Sequence, residues 1–378
     1  SLLALMSGVL NTLDRFAAAA AAPILLNLSL IFALLALAPL FPSAAHALAF
    51  GVALAGVLQV LWLARECRGA GMTLWPSWPR LTPELRRLGR LMLPGTLGAG
   101  VVQINLMVDT ILASLLPTGA VSFLYYADRV NQLPLGVVGV AIGVALLPAL
   151  ARALRLGKGE AAAEAQNRAI EFTLLLSLPA AASLLAIPHP IVAVLFERGA
   201  FTAGDGVATA GALAAFASGL PAYVLIKAFA PGFYAREDTT TPVMIAGGAM
   251  LLNIAFALAL MPLLGHIGIA LATALSAWFN AGVLGLMLAR RGFWRPDARL
   301  KRRVPMIVLS SALLAVALWF GAAALGDMLA GPLIARIGAL ALLVTGGGAL
   351  YGALALMTGA AADRLAAGDL AHRADVRA

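Results

Sequence analysis

The sequence predicts an all-α protein that crosses a membrane many times, and three observations lead to this fold class. Hydrophobic residues make up 62% of the 378 residues and charged residues 11%, whereas soluble domains are about 45–50% apolar and about 25% charged. The apolar residues form long unbroken runs, not the alternating segments of a membrane β-barrel. Lysine and arginine are unevenly distributed among the gaps between these runs. This pattern excludes a water-soluble globule, a disordered chain and a nucleic-acid-binding protein.

Ten stretches reach the roughly 20 apolar residues that a spanning helix needs. They cover residues 22–41, 46–64, 91–116, 119–150, 170–195, 206–234, 242–262, 266–289, 304–329 and 333–358. Residues 1–13 are apolar but shorter, and we interpret them as the end of a helix that begins before Ser1. The prediction is therefore about ten complete spans and one partial span.

The basic residues predict the orientation of these spans. Of the 26 lysines and arginines, 22 lie in alternate gaps or in the C-terminal tail, and only Arg198 and Arg336 lie in the other gaps. Basic residues are in excess on the cytoplasmic side of membrane proteins. The gap that contains Arg15, every second gap after it and the C-terminus are therefore predicted to be cytoplasmic.

An internal repeat is indicated by three landmarks that recur at an offset of about 220 residues, as in transporters built from duplicated bundles. They are Arg15 and Arg236, Pro23 and Pro242, and the Pro-x3-His units that begin at Pro42 and Pro262. The helices of 242–289 are thus predicted to repeat those of 22–64, and the spans of 91–195 to repeat helices that precede Ser1. A complete molecule would then have about 14 helices, in two groups of six and a final two.

The predicted domain organisation follows from this repeat. It comprises the remainder of an N-terminal lobe at 1–66 (partial helix 4, helices 5–6), a cytoplasmic linker at 67–90, a C-terminal lobe at 91–291 (helices 7–12), a basic cytoplasmic linker at 292–303, two additional helices at 304–358 and a cytoplasmic tail at 359–378.

Asp128 and Arg129 interrupt an apolar run near the predicted middle of the membrane, where an ionisable residue costs about 2.5–3.5 kcal/mol. Adjacent helical residues do not face each other, so each of the two needs a different partner. The planar guanidinium of Arg129 suits a phosphate or a carboxylate, and a structural ion pair between helices is the alternative to a role in a cavity. Pro134, Gly136 and Gly139 predict a bent or interrupted helix here, which is tolerated beside a cavity.

A second polar group begins with Asn105 and Asp109, which lie one turn apart on one helix face. Stacked oxygen ligands suit Na⁺ or a proton better than a transition metal, and a buried hydrogen-bonded acid is the alternative. Asn253 and Thr273 are candidate partners on other helices. The side chain of Lys227 either enters a cavity or extends along its helix to the membrane surface.

Catalytic and metal-binding patterns are absent from the sequence. The single cysteine excludes a disulfide framework and a thiolate metal cluster. The sequence contains no HExxH, no GxSxG, no P-loop and no Asp-rich diphosphate–Mg²⁺ motif. Sparse charges within apolar spans therefore favour a conduit over a catalyst.

Five segments carry a resemblance to a known family. They are Asn11-Thr12-Leu13-Asp14-Arg15-Phe16, Ala22-Pro23 with Asn27, Tyr125-Tyr126-Ala127-Asp128-Arg129, the glycine-containing run 136–143, and Ala230-Pro231-Gly232-Phe233-Tyr234 followed by Thr241-Pro242. In this order they resemble the MurJ (MviN) lipid II flippase family of the MOP exporter superfamily, over essentially the whole chain. The resemblance implies a MOP-type two-lobe bundle of 14 helices, of which the first three and part of the fourth would precede Ser1.

The resemblance also implies a function. Members of the family move lipid II, an undecaprenyl diphosphate-linked disaccharide-pentapeptide, from the inner to the outer leaflet of the bacterial cytoplasmic membrane for peptidoglycan synthesis. The protein would then be a transporter and not an enzyme, working by alternating access. The rival interpretations are another exporter of the superfamily, for O-antigen lipid intermediates or cationic drugs, and a membrane-embedded polyprenyl-phosphate enzyme.

By resemblance, Asp128 and Arg129 match an essential pair in the family's central cavity, where Arg129 would contact the diphosphate. Ser122 matches another cavity position, and Gln132 stands where some members carry glutamate. Together with Lys227, these are the candidate substrate-binding residues.

Asp109, Asn253 and Thr273 match a Na⁺ site of the family, in which Ala257 replaces a further carboxylate. No cofactor is implied, and coupling to Na⁺ or to H⁺ is left open. The expected partners are lipid II and membrane lipids, with cell-wall synthases as a further candidate.

Overall fold

The structure is a computed structural model that describes residues 2–13, 15–72, 100 and 103–357. Every regular element within these residues is a helix, which confirms the all-α prediction. The chain divides into two compact units, Ser1–Arg86 and Arg87–Ala378. The predicted tail at 359–378 and most of the linker at 67–90 lie outside the described residues.

The first unit contains three helices, α1 (Leu2–Thr12), α2 (Phe16–Phe32) and α3 (Ala44–Gly69). A π-helical turn at Ala33–Leu37 and a 3₁₀ turn at Ala38–Leu40 extend α2 to the end of its predicted span. Pro39 lies within the 3₁₀ turn and Pro42 follows it, and because proline cannot donate a backbone hydrogen bond, the helix stops there. The indole Nε1 of Trp62 on α3 donates to the carbonyl of Ala18, which ties α3 to α2 at 3.1 Å.

The second unit contains ten helices within its described residues. They are α4 (103–114), α5 (Ala120–Arg155), α6 (Gly159–Ala186), α7 (Pro188–Phe196), α8 (Ala203–Tyr234), α9 (Thr240–Leu264), α10 (His266–Arg290), α11 (Ala298–Ala324), α12 (Gly326–Ala330) and α13 (Leu333–Met357).

Eight of the described helices are long and apolar enough to cross a membrane. They are Ala17–Leu40, Ala44–Gly69, Gly159–Ala186, Ala203–Tyr234, Thr240–Leu264, His266–Arg290, Ala298–Ala324 and Leu333–Met357. The 36-residue α5 covers the predicted span 119–150, and α4 lies in the predicted span 91–116, whose beginning is outside the described residues.

Two details differ from the sequence-based expectation. The predicted span 170–195 is divided into α6 and α7 at Ile187, because Pro188 lacks a backbone N–H and starts a new helix. The predicted interruption near Pro134 is wrong, since α5 is one continuous helix from Ala120 to Arg155. Packing along α6 and α8 stabilises α5 on both sides of the proline, so the loss of one backbone hydrogen bond does not break it.

The centre of the second unit is α8, which packs against α5, α6 and α10. In its most apolar stretch 72% of the residues are buried, against 17% in α9. Small residues permit this close approach: a Cβ on Gly219 would lie 2.7 Å from Cα of Ala274 on α10. The helices that surround α8 therefore have fixed rotations, which determine where their polar side chains point.

Two ion-pair clusters hold the last helices to this core. The buried carboxylate of Glu171 on α6 pairs with Arg303 of α11, and with Arg299 of α11 at 3.1 Å. In the first turn of α13, Arg336 pairs with Glu197 at 3.0 Å. Because the carboxylates of Glu171 and Glu197 are nearly buried, removing either one would destabilise the protein by breaking the ion pairs that it forms with these arginines.

Candidate functional site

A polar cavity of about 510 Å³ lies within the second unit, between α4, α5, α8, α9 and α10. Its polar lining residues are Asn105, Asp128, Asn131, Gln132, Tyr223, Lys227, Thr273, Ser276 and Asn280. These residues share helix faces: Asp128, Asn131 and Gln132 follow the i, i+3, i+4 pattern on α5. A polar cavity in an otherwise apolar bundle is the strongest candidate for a functional site among the described residues.

The adjacent charges on α5 point in different directions. Asp128 is half-buried and lines the cavity, whereas Arg129 is exposed and is not among the lining residues. Gln132 connects the two: its Nε2 donates to Oδ2 of Asp128 at 2.5 Å, and its Oε1 accepts from Nη1 of Arg129 at 3.5 Å. The guanidinium carbon of Arg129 lies 4.8 Å from the ring centre of Tyr125. Arg129 has no carboxylate partner within the described residues, so its charge is free to meet an external anion.

Lys227 lines the same cavity from α8. Its ammonium lies against Gly139 of α5, where a Cβ would be only 2.6 Å from Nζ. A larger residue at position 139 would displace the lysine side chain from its present position, and within the described residues Lys227 has no acidic partner. Ser122 is different, because it lies exposed in the first turn of α5 and is not a lining residue.

The second polar group is assembled by three helices. Nδ2 of Asn253 on α9 donates to Oδ1 of Asp109 at 2.9 Å and to Oδ1 of Asn105 at 2.9 Å. The hydroxyl of Thr273 on α10 lies 3.5 Å from Oδ2 of Asp109, and Nδ2 of Asn105 lies 3.3 Å from the same oxygen. We refer to Asn105, Asp109, Asn253 and Thr273 as the Asp109 cluster. Since Asn105 and Thr273 also line the cavity, the cluster forms part of its wall.

The Asp109 cluster has the donor set of a site for a small monovalent cation. It offers one carboxylate and three neutral side chains with oxygen atoms, and among the described residues Oδ1 of the buried Asn253 has no hydrogen-bond partner. Ala257, one turn along α9, is fully buried among apolar residues, so no second carboxylate is present at that position. In the part of the chain that the structure describes, no three His, Cys, Asp or Glu side chains come together in a group that could hold a metal ion.

The sequence reasoning missed four polar cavity residues, Asn131, Tyr223, Ser276 and Asn280. Three of them have a buried polar atom without a hydrogen-bond partner among the described residues: Oδ1 of Asn131, the hydroxyl of Tyr223 and Oδ1 of Asn280. A signal for two of them was available, because Thr273, Ser276 and Asn280 form an i, i+3, i+7 stripe on α10. Unpaired buried polar atoms in a cavity of this size are suited to water or a polar ligand.

Comparison with known proteins places the chain in a family. A family model described as "Lipid II flippase MurJ" matches residues 1–331. A protein of Rhizobium meliloti (strain 1021), named "Probable lipid II flippase MurJ", is 47% identical over 369 residues, which are 96% of this chain and 68% of that protein. A protein of the same name from Rhizobium tropici is 47% identical over 319 residues, or 83% of this chain and 59% of that protein. The chain thus spans only part of these relatives.

A solved structure has the same fold. The structure titled "Lipid II flippase MurJ, inward closed conformation" matches with a TM-score of 0.76 at 22% identity, and the match covers 96% of this chain and 72% of that chain. The matches do not favour the rival interpretations as another exporter or as an embedded enzyme. The chain belongs to the MurJ family of lipid II flippases, multi-pass membrane transporters that are not enzymes.

Proposed function

We propose that this protein moves lipid II to the outer leaflet by alternating access, and that Arg129 binds the diphosphate of the lipid. The observation that carries the proposal is an exposed arginine, without a carboxylate partner in the described residues, beside a polar cavity in an apolar helical unit. Arg129 lies nine residues after the start of α5, or about 14 Å along the helix axis, which would place it in the membrane interior when α5 starts at the membrane surface. A charged side chain at this depth is energetically costly unless it binds a partner group or a ligand.

The neighbours of Arg129 support a role in binding an anion. The ring of Tyr125 and the amide oxygen of Gln132 orient the guanidinium, but neither neutralises it. A guanidinium held in this way presents its remaining N–H groups to a phosphate in a planar fork. Asp128, Gln132 and Lys227, which line the cavity, would contact the polar part of the headgroup, and Ser122 would contact it nearer the start of α5.

The membrane potential would supply the driving force. Outward movement of an anionic headgroup from a negative interior is favourable by about 2.3 kcal/mol per charge per 100 mV. A monovalent cation would bind at the Asp109 cluster through oxygens of Asp109, Asn253 and Thr273 and would neutralise the half-buried carboxylate. Na⁺ and H⁺ are both compatible with a site that has one carboxylate.

The remaining parts of the proposal concern orientation and partners. The basic gaps and the C-terminus would face the cytoplasm of a bacterial cell, as the distribution of arginines indicates.

The apolar surfaces of α11 and α13 would accommodate the prenyl chain of lipid II, and cell-wall synthases would receive the exported lipid. Trp319 and Phe320, exposed on α11, border an apolar groove of about 440 Å³ that is suited to such a chain.

The deciding experiment replaces Arg129 by alanine in cells depleted of their own flippase. Lipid II in the outer leaflet is measured by its cleavage with an enzyme added outside the cells. We expect Arg129→Ala to reduce export at least about tenfold, because a charge-assisted contact contributes about 1.5–3 kcal/mol. Arg129→Lys should retain part of the activity.

The matched control is Arg155→Ala, since Arg155 is on the same helix and, among the described residues, bonds only to the carbonyl of Ala151. Membrane insertion of both variants is measured by fractionation. Full export by Arg129→Ala, with normal insertion, would refute the proposed role.

A further inference from the structure

The hydrogen bonds of the Asp109 cluster depend on one buried amide. The side chain of Asn253 is 1% exposed, and its Nδ2 lies between Oδ1 of Asp109 and Oδ1 of Asn105, at 2.9 Å from each. The two hydrogens of this group therefore satisfy two acceptor oxygens. A positively polarised N–H₂ group occupies the position in which a cation would meet the same oxygens.

The opposite orientation of this amide is unfavourable without a cation. If the amide were rotated by 180°, Oδ1 of Asn253 would face Oδ1 of Asp109 and Oδ1 of Asn105, and three acceptors would meet without a donor. The observed orientation has its own cost, because it leaves Oδ1 of Asn253 buried without a partner. An unsatisfied buried acceptor costs about 1–3 kcal/mol. In this orientation the amide of Asn253 donates a hydrogen bond to the carboxylate of Asp109, while its own Oδ1 accepts none from the described residues.

A cation would reverse this preference. Na⁺ binds oxygen atoms, so the same amide could contribute only after its Oδ1 replaces Nδ2. The terminal torsion of asparagine is broad and nearly two-fold, so the exchange requires no movement of α9.

We propose that Asn253 is a two-state switch, whose Nδ2 takes the place of the cation in the cation-free protein and whose Oδ1 binds a monovalent cation after the amide rotates. The inference rests on the cation site in the proposed function and adds the residue that senses occupancy. Asn105, which accepts from Asn253 and lines the cavity, changes its hydrogen bonds with the switch. Cation binding at the Asp109 cluster would therefore change the hydrogen bonds of a residue in the cavity wall.

The test uses Asn253→Asp, which keeps the size of the side chain and an oxygen ligand but cannot donate when ionised. Purified protein is melted at pH 8 in choline chloride and in NaCl of equal ionic strength, and ²²Na⁺ binding is measured directly. We expect the variant to melt below the wild type in choline, because two carboxylates face each other. In NaCl it should gain more stability than the wild type, and its affinity for Na⁺ should rise at least tenfold.

Two further variants make the result decisive. Asn280→Asp adds the same charge to the same cavity outside the Asp109 cluster, and we expect a Na⁺ response like that of the wild type. Asn105→Asp tests the same logic at the partner amide and serves if Asn253→Asp does not fold. The switch is refuted if neither cluster variant gains more from Na⁺ than Asn280→Asp does.

Asp109→Asn separates this inference from the proposed cation site. If the wild type responds to Na⁺ and Asp109→Asn does not, the cation site stands, whatever the outcome at Asn253. If the wild type binds no Na⁺ and gains no stability from it, the Na⁺ site of the proposed function fails, and the switch fails with it.

Discussion

The helix pairs α2–α3 and α9–α10 share an arginine contact, but the side chains at corresponding positions within the two pairs differ in polarity. Each pair is preceded by an arginine that reaches the far end of the pair. Nη2 of Arg15 lies 3.5 Å from the carbonyl of Gly69 at the end of α3, and Nη2 of Arg236 lies 3.5 Å from the carbonyl of Phe293, just after α10. These contacts support the repeat that the sequence predicts at an offset of about 220 residues.

The interiors differ in polarity. At the repeat offset, Asn253 and Thr273 of the second pair correspond to Ala33 and Ala53 of the first. Ala33 is fully buried, and Gly51 packs so closely on it that a Cβ there would lie 2.7 Å from the Ala33 methyl group. The helices of the first pair are therefore in apolar contact at the position that corresponds to Asn253, whose side chain contacts the carboxylate of Asp109 on α4. The two pairs thus share the arginine contact but differ at these positions, where the second pair has polar side chains that contact Asp109 and the first pair has alanines.

The largest effect is expected when the second pair is made apolar like the first. Asn253→Leu removes the closest donor to Asp109 and leaves this half-buried carboxylate with the longer contacts to Asn105 and Thr273, which should cost roughly 3 kcal/mol of unfolding free energy. Adding Asp109→Leu should recover most of this loss, because no charge then remains. Thermal unfolding of the two single variants and the double variant measures the coupling. Additive losses would show that Asn253 does not stabilise the carboxylate.

A smaller effect is expected at the two arginines. Arg236 donates to the carbonyl of Gly232 at 2.6 Å and stacks on Phe293 at 4.3 Å, so Arg236→Ala should cost about 1–2 kcal/mol. The side chain of Arg15 is 47% exposed and its ion pair with Glu66 is 3.9 Å long, so Arg15→Ala should cost below about 0.5 kcal/mol. Unfolding midpoints of the two variants test this order. Equal losses would mean that the two scaffold arginines are equivalent.

An effect of intermediate size, which depends on pH, is expected at the start of the second pair. Asp238 accepts from the N–H and the hydroxyl of Thr241, at 2.9 and 2.7 Å, whereas among the described residues no side chain caps the start of α2. The hydrogen bond from the Thr241 hydroxyl, then that from its N–H, and the ion pair with Arg291 lower the pKa of Asp238 below its usual value. Asp238→Ala should therefore cost about 1 kcal/mol at neutral pH.

The sign of the pH dependence follows from the lowered pKa. The stabilisation by Asp238 is present above the pKa of the unfolded chain, near 4, and is lost as the pH falls through the lower pKa of the folded protein. The gap in stability between the wild type and Asp238→Ala should narrow as the pH falls below about 4. Thermal unfolding over a pH series measures this gap, and a gap that widens in acid would contradict the assignment.

Local patterns predicted much of the fold and part of the site. Hydropathy predicted the helices, since each span must be apolar along its own length. Spacing placed Asn105 and Asp109 on one face of α4, and the hydrogen bond between them confirms this. The continuity of α5 through Pro134 could not be predicted, because it depends on the helices that pack against it.

Because hydropathy acts over neighbouring residues, a reading of the chain alone predicts a helical membrane protein and the positions of most of its spans. Which polar atoms meet depends on how the helices pack together. Asn253 and Asp109 are separated by 144 residues, and Thr273 and Asp109 by 164. Their contact depends on the rotation of α4, α9 and α10 about their axes, which is fixed by packing between helices and is not encoded in any one of them.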